Sequence, residues 1–103
     1  MTLMRDPVST RLRFGILGPL VATLDGQTVH LGGRRQSSVI AALLVARGEV
    51  VTTDRLLEAL WPDGAPRSAA GSLHAYVSHL RRLLEPDRAA REPSTVLVSH
   101  GTG

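Results

Sequence analysis

The chain has 103 residues, enough for one domain with one modest hydrophobic core. Its twelve basic residues are all arginine, its net charge is +3, and it has no cysteine, which excludes disulfides and thiolate metal sites. No apolar run is long enough to cross a membrane, and the first ten residues lack the apolar segment of a signal peptide. We therefore expect a cytoplasmic protein without a membrane partner. A basic chain suits nucleic acid, but a GC-rich genome explains the absence of lysine better than function does.

The first half of the chain predicts a disordered lead followed by a small antiparallel sheet. Residues 1–10 show no regular pattern and are expected to be disordered, so the domain is placed at residues 11–103. Strands are predicted over 12–17, 20–24 and 27–31, with a two-residue hairpin turn at Asp25–Gly26.

Three helices and a final strand are predicted next. The spacing of apolar residues indicates helices over 34–47, between Thr53 and Pro62, and over 68–84. Thr53 is the expected N-cap of the second helix, and Trp61 is expected to be buried at its end. A strand is predicted over 95–99, and the turn His100–Gly103 after it leaves that strand without a partner.

The third predicted helix has two contrasting faces. Leu73, Val77, Leu80 and Leu84 form one apolar stripe. The side chains that point away from this stripe are small, hydroxylated or basic: Ser68, Gly71, Ser72, Ala75, Ser78, His79 and Arg82. An ordinary solvated face would be rich in Glu and Lys, whereas this helix has no carboxylate before Glu85. Small residues allow close approach, hydroxyls and imidazoles bond base edges or phosphates, and arginine neutralises phosphate, so the face is typical of a helix in a DNA major groove.

The sequence gives little support for catalysis, metal binding or a cofactor. It contains no Gly-x-Ser-x-Gly elbow, no His-Glu-x-x-His motif and no cysteine nucleophile. His74 and His79 are five residues apart and lie on different sides of a helix, a poor geometry for a shared metal. The Gly32–Arg35 segment lacks the Gly-Lys-Ser/Thr of a nucleotide-binding loop, so no enzyme activity is expected.

Four segments resemble the OmpR/PhoB-type winged helix, and most closely the N-terminal DNA-binding domain of the Streptomyces antibiotic regulatory proteins (SARP). They are Leu31–Gln36, Val51–Pro62, Ala75–Leu84 and His100–Gly103, the last being similar to the turn of the wing. The resemblance implies an α+β winged helix-turn-helix with an N-terminal antiparallel meander, three helices and a C-terminal wing whose second strand is missing. The sequence departs from the family at Gly71, where Asn is common, and at His79 and His100, where Arg is common.

The resemblance also implies a transcriptional regulator, expected to be an activator. Its third helix would read direct repeats in double-stranded promoter DNA, where copies bind head to tail. The residues expected to contact DNA are Ser68, Ser72, His74, Ala75, Ser78, His79, Arg81, Arg82, Arg34, Arg35 and His100. RNA polymerase holoenzyme is the expected partner of the loop formed by Pro62, Asp63, Gly64, Ala65, Pro66 and Arg67.

Two other interpretations remain open from the sequence. A winged-helix module that docks a protein such as RNA polymerase without binding DNA would explain the loss of arginine at His79 and His100. A truncated remnant that does not fold stably alone would explain the unpaired strand over 95–99.

Overall fold

Two small antiparallel sheets and three helices make up the chain in a computed structural model that describes residues 1–3, 12–15, 20–86 and 96–98. The strands are β1 (Thr2–Leu3), β2 (Leu12–Gly15), β3 (Val21–Leu24), β4 (Gln27–Val29) and β5 (Leu97–Val98). The helices are α1 (Arg34–Val45), α2 (Thr53–Leu60) and α3 (Ala69–Leu84). The predicted α+β architecture, with a meander followed by three helices and a strand, is confirmed.

The predicted meander is the sheet β2–β3–β4. Leu12 is paired with Leu24 and Leu24 in turn with Gln27, so the three strands are antiparallel neighbours in chain order. Asp25 and Gly26 both have positive φ, 52° and 82°. Two positive φ values are typical of the type I′ turn that matches the twist of a hairpin, which is why the Asp-Gly pair predicted this connection.

The N-cap of α2 is Thr52, so the prediction of Thr53 is wrong. Thr52 has an extended backbone, and its Oγ1 accepts a hydrogen bond from the Arg55 amide at 3.2 Å. This bond, from the amide of the third helical residue to the N-cap side chain, satisfies one of the amides that have no backbone partner at the start of a helix. Thr53 is already helical, and the two adjacent threonines could not be told apart by residue type.

The hydrophobic core lies between the three helices and is closed at one end by β1 and β5. The predicted stripe of α3 is confirmed, since Leu73, Val77, Leu80 and Leu84 are all buried, together with Ala69. Its partners in the core are Val39, Ile40 and Leu43 of α1, Leu56 and Leu60 of α2, and Leu3 and Leu97 of the two edge strands. Packing against the core therefore determines which face of α3 is exposed to solvent.

The first three residues are ordered, which corrects the prediction of a disordered lead for this part of it. Thr2 pairs with Val98 and Leu3 with Leu97 in an antiparallel ladder. Met1 exchanges backbone hydrogen bonds with Val51, its ammonium donating at 2.6 Å and its carbonyl accepting at 2.7 Å. The expectation that the final strand has no partner is therefore also wrong, because β1 fills that edge. Residues 4–10 lie outside the described residues.

Candidate nucleic-acid interface

The exposed side of α3 carries most of the residues that the sequence predicted to contact DNA. At about 100° of rotation per residue, Ser72, Ala75, Ser78, His79 and Arg82 share one side of the helix, opposite the buried stripe. Ala75, His79 and Arg82 are exposed, and Ser72 and Ser78 are partly exposed. Ser68 precedes the helix as its exposed N-cap residue and makes no side-chain capping bond. The arrangement gives a helix face of small and polar groups without a carboxylate.

His79 lies at the edge of this face that adjoins α1. Its Nδ1 is 2.8 Å from Nε2 of Gln36, a residue in the first turn of α1. The same Gln36 nitrogen donates to the carbonyl of Leu31 at 2.9 Å, and Gln36 is buried. The imidazole is therefore held in place from inside the domain while the ring itself remains exposed.

His74 and Arg81 lie on the opposite edge of α3, and Arg81 contacts β5. Arg81 is partly buried, and its Nε donates to the carbonyl of Leu97 at 3.0 Å. His74 is exposed on the same side of the helix. The structure thus separates Arg81 from its neighbour Arg82, as expected for consecutive positions on a helix: Arg81 binds the wing strand and Arg82 faces outward.

Arg82 is the exposed arginine on the helix face itself. It lies in the last turn of α3, where a positive charge also interacts favourably with the helix dipole. Within the described part of the chain, no hydrogen bond or ion pair engages its guanidinium. A planar, permanently charged group in this position suits bidentate recognition of guanine or phosphate.

Arg34 and Arg35 begin α1 and differ in their surroundings. Arg34 is exposed, and its carbonyl accepts hydrogen bonds from the hydroxyls of Ser37 and Ser38. Arg35 is also exposed, but its guanidinium carbon lies 5.1 Å from the centre of the Trp61 ring and its Nε is 3.4 Å from the Leu60 carbonyl. Arg35 thus links the start of α1 to the end of α2.

Trp61 is partly buried at the end of α2 rather than enclosed in the core as predicted. Its ring stacks on Tyr76 of α3, with the ring centres 6.5 Å apart and the planes at 20°. Arg35, Trp61 and Tyr76 therefore connect all three helices at the margin of the core. Tyr76 is partly buried, like Trp61.

The loop between α2 and α3 is exposed along its whole predicted length, Pro62 to Arg67. It is anchored at both ends by backbone hydrogen bonds, Gly64 to Trp61 at 3.1 Å and Ala69 to Pro66 at 3.0 Å. Gly64 has a φ of +119°, which a residue with a side chain rarely adopts. The loop projects between the two helices with Asp63 and Arg67 as its charged groups. His100 lies outside the described residues.

Gln36 is the residue of this region that sequence reasoning missed. It occupies a buried position of α1, three and four residues before Val39 and Ile40. A polar residue at such a position indicates a side chain that needs a hydrogen-bond partner inside the domain. Gly32, with a φ of +91°, is a second such feature, since a Cβ at this position would collide with the Gln36 amide. Neither feature predicts that His79 is the hydrogen-bond partner of Gln36.

Among the described residues, no group of acidic or histidine side chains is arranged to hold a metal ion. No helix in the described ranges is long and apolar enough to cross a membrane.

Comparison with known proteins agrees with this geometry. The family model described as "Transcriptional regulatory protein, C terminal" matches residues 26–103, most of the chain. The chain belongs to this family. It is an OmpR/PhoB-type winged helix, the DNA-binding domain of a transcriptional regulator of the SARP type, and the family is one of regulators rather than enzymes.

The relatives of this winged helix are bacterial regulators. It is 43% identical over 96 residues to the transcriptional regulatory protein EmbR of Mycobacterium tuberculosis, covering 93% of this chain and 24% of EmbR. It is 41% identical over 95 residues to the regulatory protein AfsR of Streptomyces coelicolor, covering 92% of this chain and 9% of AfsR. The regulatory protein DnrI of Streptomyces peucetius is 34% identical over 71 residues, 69% of this chain and 26% of DnrI.

A solved structure shares the fold. Mycobacterium tuberculosis EmbR in complex with a low affinity phosphopeptide superimposes with a TM-score of 0.71 at 39% identity, covering 88% of this chain and 26% of that one. The chain spans about a quarter or less of the length of these relatives. The predicted winged helix-turn-helix is thereby confirmed.

Proposed function

We propose that this domain binds double-stranded promoter DNA with sequence specificity by inserting α3 into the major groove. The observation that carries the proposal is the exposed face of α3, where serines, alanine, His79 and Arg82 stand without a carboxylate between Ala69 and Leu84. Because the opposite face is buried against α1 and α2, the helix is held with this side outward. DNA supplies acceptors for the hydrogen-bond donors of this face and phosphates for its arginine.

Within this proposal Arg82 makes the principal charged contact. Arg35 and Arg81 each use Nε in an internal hydrogen bond, so their phosphate contacts are secondary. Arg34, exposed at the start of α1, contacts backbone phosphate, and His74 and His100 make further contacts to DNA. Copies of the domain bind direct repeats head to tail in the cytoplasm, and the loop over 62–67 contacts RNA polymerase to activate transcription.

The test is a selection of duplexes from a random library by the whole chain, followed by fluorescence anisotropy with the selected and scrambled sequences over a salt series. We expect preference for the selected duplex, tighter binding of two directly repeated sites than of one, and a salt slope that reports several phosphates. Arg82→Ala should cost about 1–3 kcal/mol on the selected duplex if Arg82 reads a base, and should flatten the slope by about one unit if it binds phosphate.

The matched control is Arg55→Ala, which removes the same charge from α2. Equal losses in both variants would mean that only net charge matters and would contradict a reading face on α3. The loop is tested separately by transcription in vitro with RNA polymerase: replacing Asp63 and Arg67 by alanine should lower activation and leave DNA affinity unchanged.

A second function, docking of a protein without DNA, is favoured by one observation. Two of the arginines near the face, Arg35 and Arg81, are engaged inside the domain, which leaves the face with little charge. Under this interpretation the folded chain would bind RNA polymerase while selecting no duplex. The strand that the remnant interpretation took as unpaired is β5, which pairs with β1.

A further inference from the structure

The side chain of Gln36 connects the entry to α1 with the exposed face of α3. Its Nε2 is within hydrogen-bond distance of two groups, the Leu31 carbonyl at 2.9 Å and His79 Nδ1 at 2.8 Å. A primary amide nitrogen carries two hydrogens, so both bonds are made at once. Gln36 is buried, and its amide cannot exchange these partners for bulk water without opening the contact between the helices.

The Leu31 carbonyl fixes the orientation of the Gln36 amide. A carbonyl only accepts hydrogen bonds, so the amide atom facing it must be the nitrogen; the reverse orientation would place two oxygens against each other. Gly32 makes room for this orientation, because a Cβ at that residue would collide with Gln36 Nε2. Its φ of +91° turns the chain between the Leu31 carbonyl and the start of α1.

The tautomer of His79 follows from the amide. Gln36 Nε2 can only donate, so His79 Nδ1 must accept, and a neutral imidazole that accepts at Nδ1 carries its hydrogen on Nε2. Nε2 lies on the far side of the ring from Gln36, and the ring is exposed on the face with Ser72 and Ala75. His79 thus presents a single N–H donor outward in a fixed direction.

We infer that Gln36 is a positioning residue that sets His79 as a hydrogen-bond donor to an acceptor on a base edge in the major groove: N7 of a purine, O6 of guanine or O4 of thymine. This inference rests on the proposed DNA-binding function and adds to it which base atoms this position reads. An Nε2–H donor cannot accept from the amino groups of adenine or cytosine, so those groups are rejected at the contact. The neighbours Ser72 and Ala75 are small enough to let the ring approach the base edge.

The first experiment examines the free protein and needs no DNA. Two-dimensional NMR of the ¹⁵N-labelled chain at about pH 8, where an ordinary imidazole is neutral, distinguishes the two ring nitrogens. The His79 signals are assigned by their loss in His79→Ala. We expect the Nε2–H tautomer in the native chain, a mixture of tautomers in Gln36→Ala, and the Nδ1–H tautomer in Gln36→Glu, whose carboxylate accepts from Nδ1. An Nδ1–H tautomer in the native chain would overturn the inference.

The second experiment uses duplexes selected by the chain, with single bases replaced in turn by analogues that lack one major-groove acceptor: 7-deaza purines for N7, 2-aminopurine for O6 of guanine and 5-methyl-2-pyrimidinone for O4 of thymine. One replacement should weaken binding of the native chain about three- to tenfold, the value of one hydrogen bond, and should have no effect on His79→Ala. In Gln36→Ala the base replacement should weaken binding less than in the native chain. In His30→Ala, which alters an exposed histidine after β4, it should weaken binding as much as in the native chain. If the chain selects no duplex, the proposed function fails while the tautomer result stands. If no analogue distinguishes the native chain from His79→Ala, the contact to a base acceptor is wrong.

The Gln36 variants remove a buried hydrogen bond, so their folding is checked by circular dichroism and thermal melting. Should neither variant fold, the tautomer of the native chain and the His79→Ala comparison still decide the inference, because neither depends on replacing Gln36.

Discussion

Arg81 of α3 and Leu97 of β5 are joined by a hydrogen bond, from the arginine Nε to the backbone carbonyl at 3.0 Å. Leu97 is fully buried, so its carbonyl is close to the core and has limited access to water. The bond therefore satisfies a backbone acceptor and at the same time fixes the angle of β5 against the helix. An arginine that seemed suited to phosphate in the sequence has a structural partner inside the domain.

Arg81→Ala should destabilise the domain more than Arg82→Ala. A hydrogen bond that involves a charged donor contributes about 1.5–3 kcal/mol, and because Arg81 is partly exposed we expect the lower end, a loss of about 1–2 kcal/mol. Arg82 has no such bond within the described residues, and its replacement should change stability by less than about 0.5 kcal/mol. Urea unfolding followed by circular dichroism measures both, and equal losses would show that Arg81 does not hold β5.

Thr52→Ala should weaken the start of α2, whereas Thr53→Ala should not. Thr52 Oγ1 accepts from the Arg55 amide, and replacing a threonine N-cap by alanine costs about 1 kcal/mol. Thr53 lies one residue further into the helix, where alanine is a better helix former than threonine, so its replacement should be neutral or slightly stabilising. The midpoint of thermal unfolding separates the two, and a larger loss from Thr53→Ala would contradict the observed cap.

The helices and the hairpin were predictable because their signals are local. The stripe Leu73, Val77, Leu80 and the pair Asp25–Gly26 depend on residues within one turn or one element of each other. The order of elements and the face of α3 followed from the same periodicity. Resemblance to a family added the wing.

The contacts that position the site were not predictable, since each joins residues distant in the chain. Gln36 and His79 are 43 residues apart, Arg81 and Leu97 are 16 apart, and Met1 and Val51 are 50 apart. No periodic pattern couples such pairs, so the prediction treated His79 and Arg81 as solvated side chains available to DNA. It likewise treated the first residues as disordered, because two residues of strand give too short a pattern to recognise.

Trp61 provides a direct probe of the link between α1 and α2. It is the single tryptophan of the chain, so fluorescence reports its surroundings alone. Arg35→Ala removes the guanidinium 5.1 Å from its ring, which should shift the emission and lower stability by about 0.5–1 kcal/mol, the value of an exposed cation–π contact. Arg34→Ala, the adjacent control, should leave the emission spectrum unchanged. An identical spectrum in both variants would show that Arg35 does not cover the ring.

The ammonium of Met1 makes the stability of the domain depend on pH. Its partial burial lowers the pKa of this group below its ordinary value of 8.0, because burial disfavours the charged form. In the interval between the lowered pKa and 8.0, the unfolded chain binds more protons than the folded one, so the free energy of unfolding rises as the pH rises through that interval. Below it, the cost of burying the charge is fully present.

The dependence is isolated by comparing the native chain with one acetylated at its N-terminus, in which this group no longer titrates. The four histidines are the same in both, so their contribution cancels in the difference. We expect the free energy of unfolding of the native chain to increase relative to that of the acetylated chain as the pH rises from the lowered pKa of this group to 8.0, as measured by urea unfolding. A constant difference over this range would mean that the ammonium is as well solvated in the folded chain as in the unfolded one, and that Met1 does not occupy its position beside Val51.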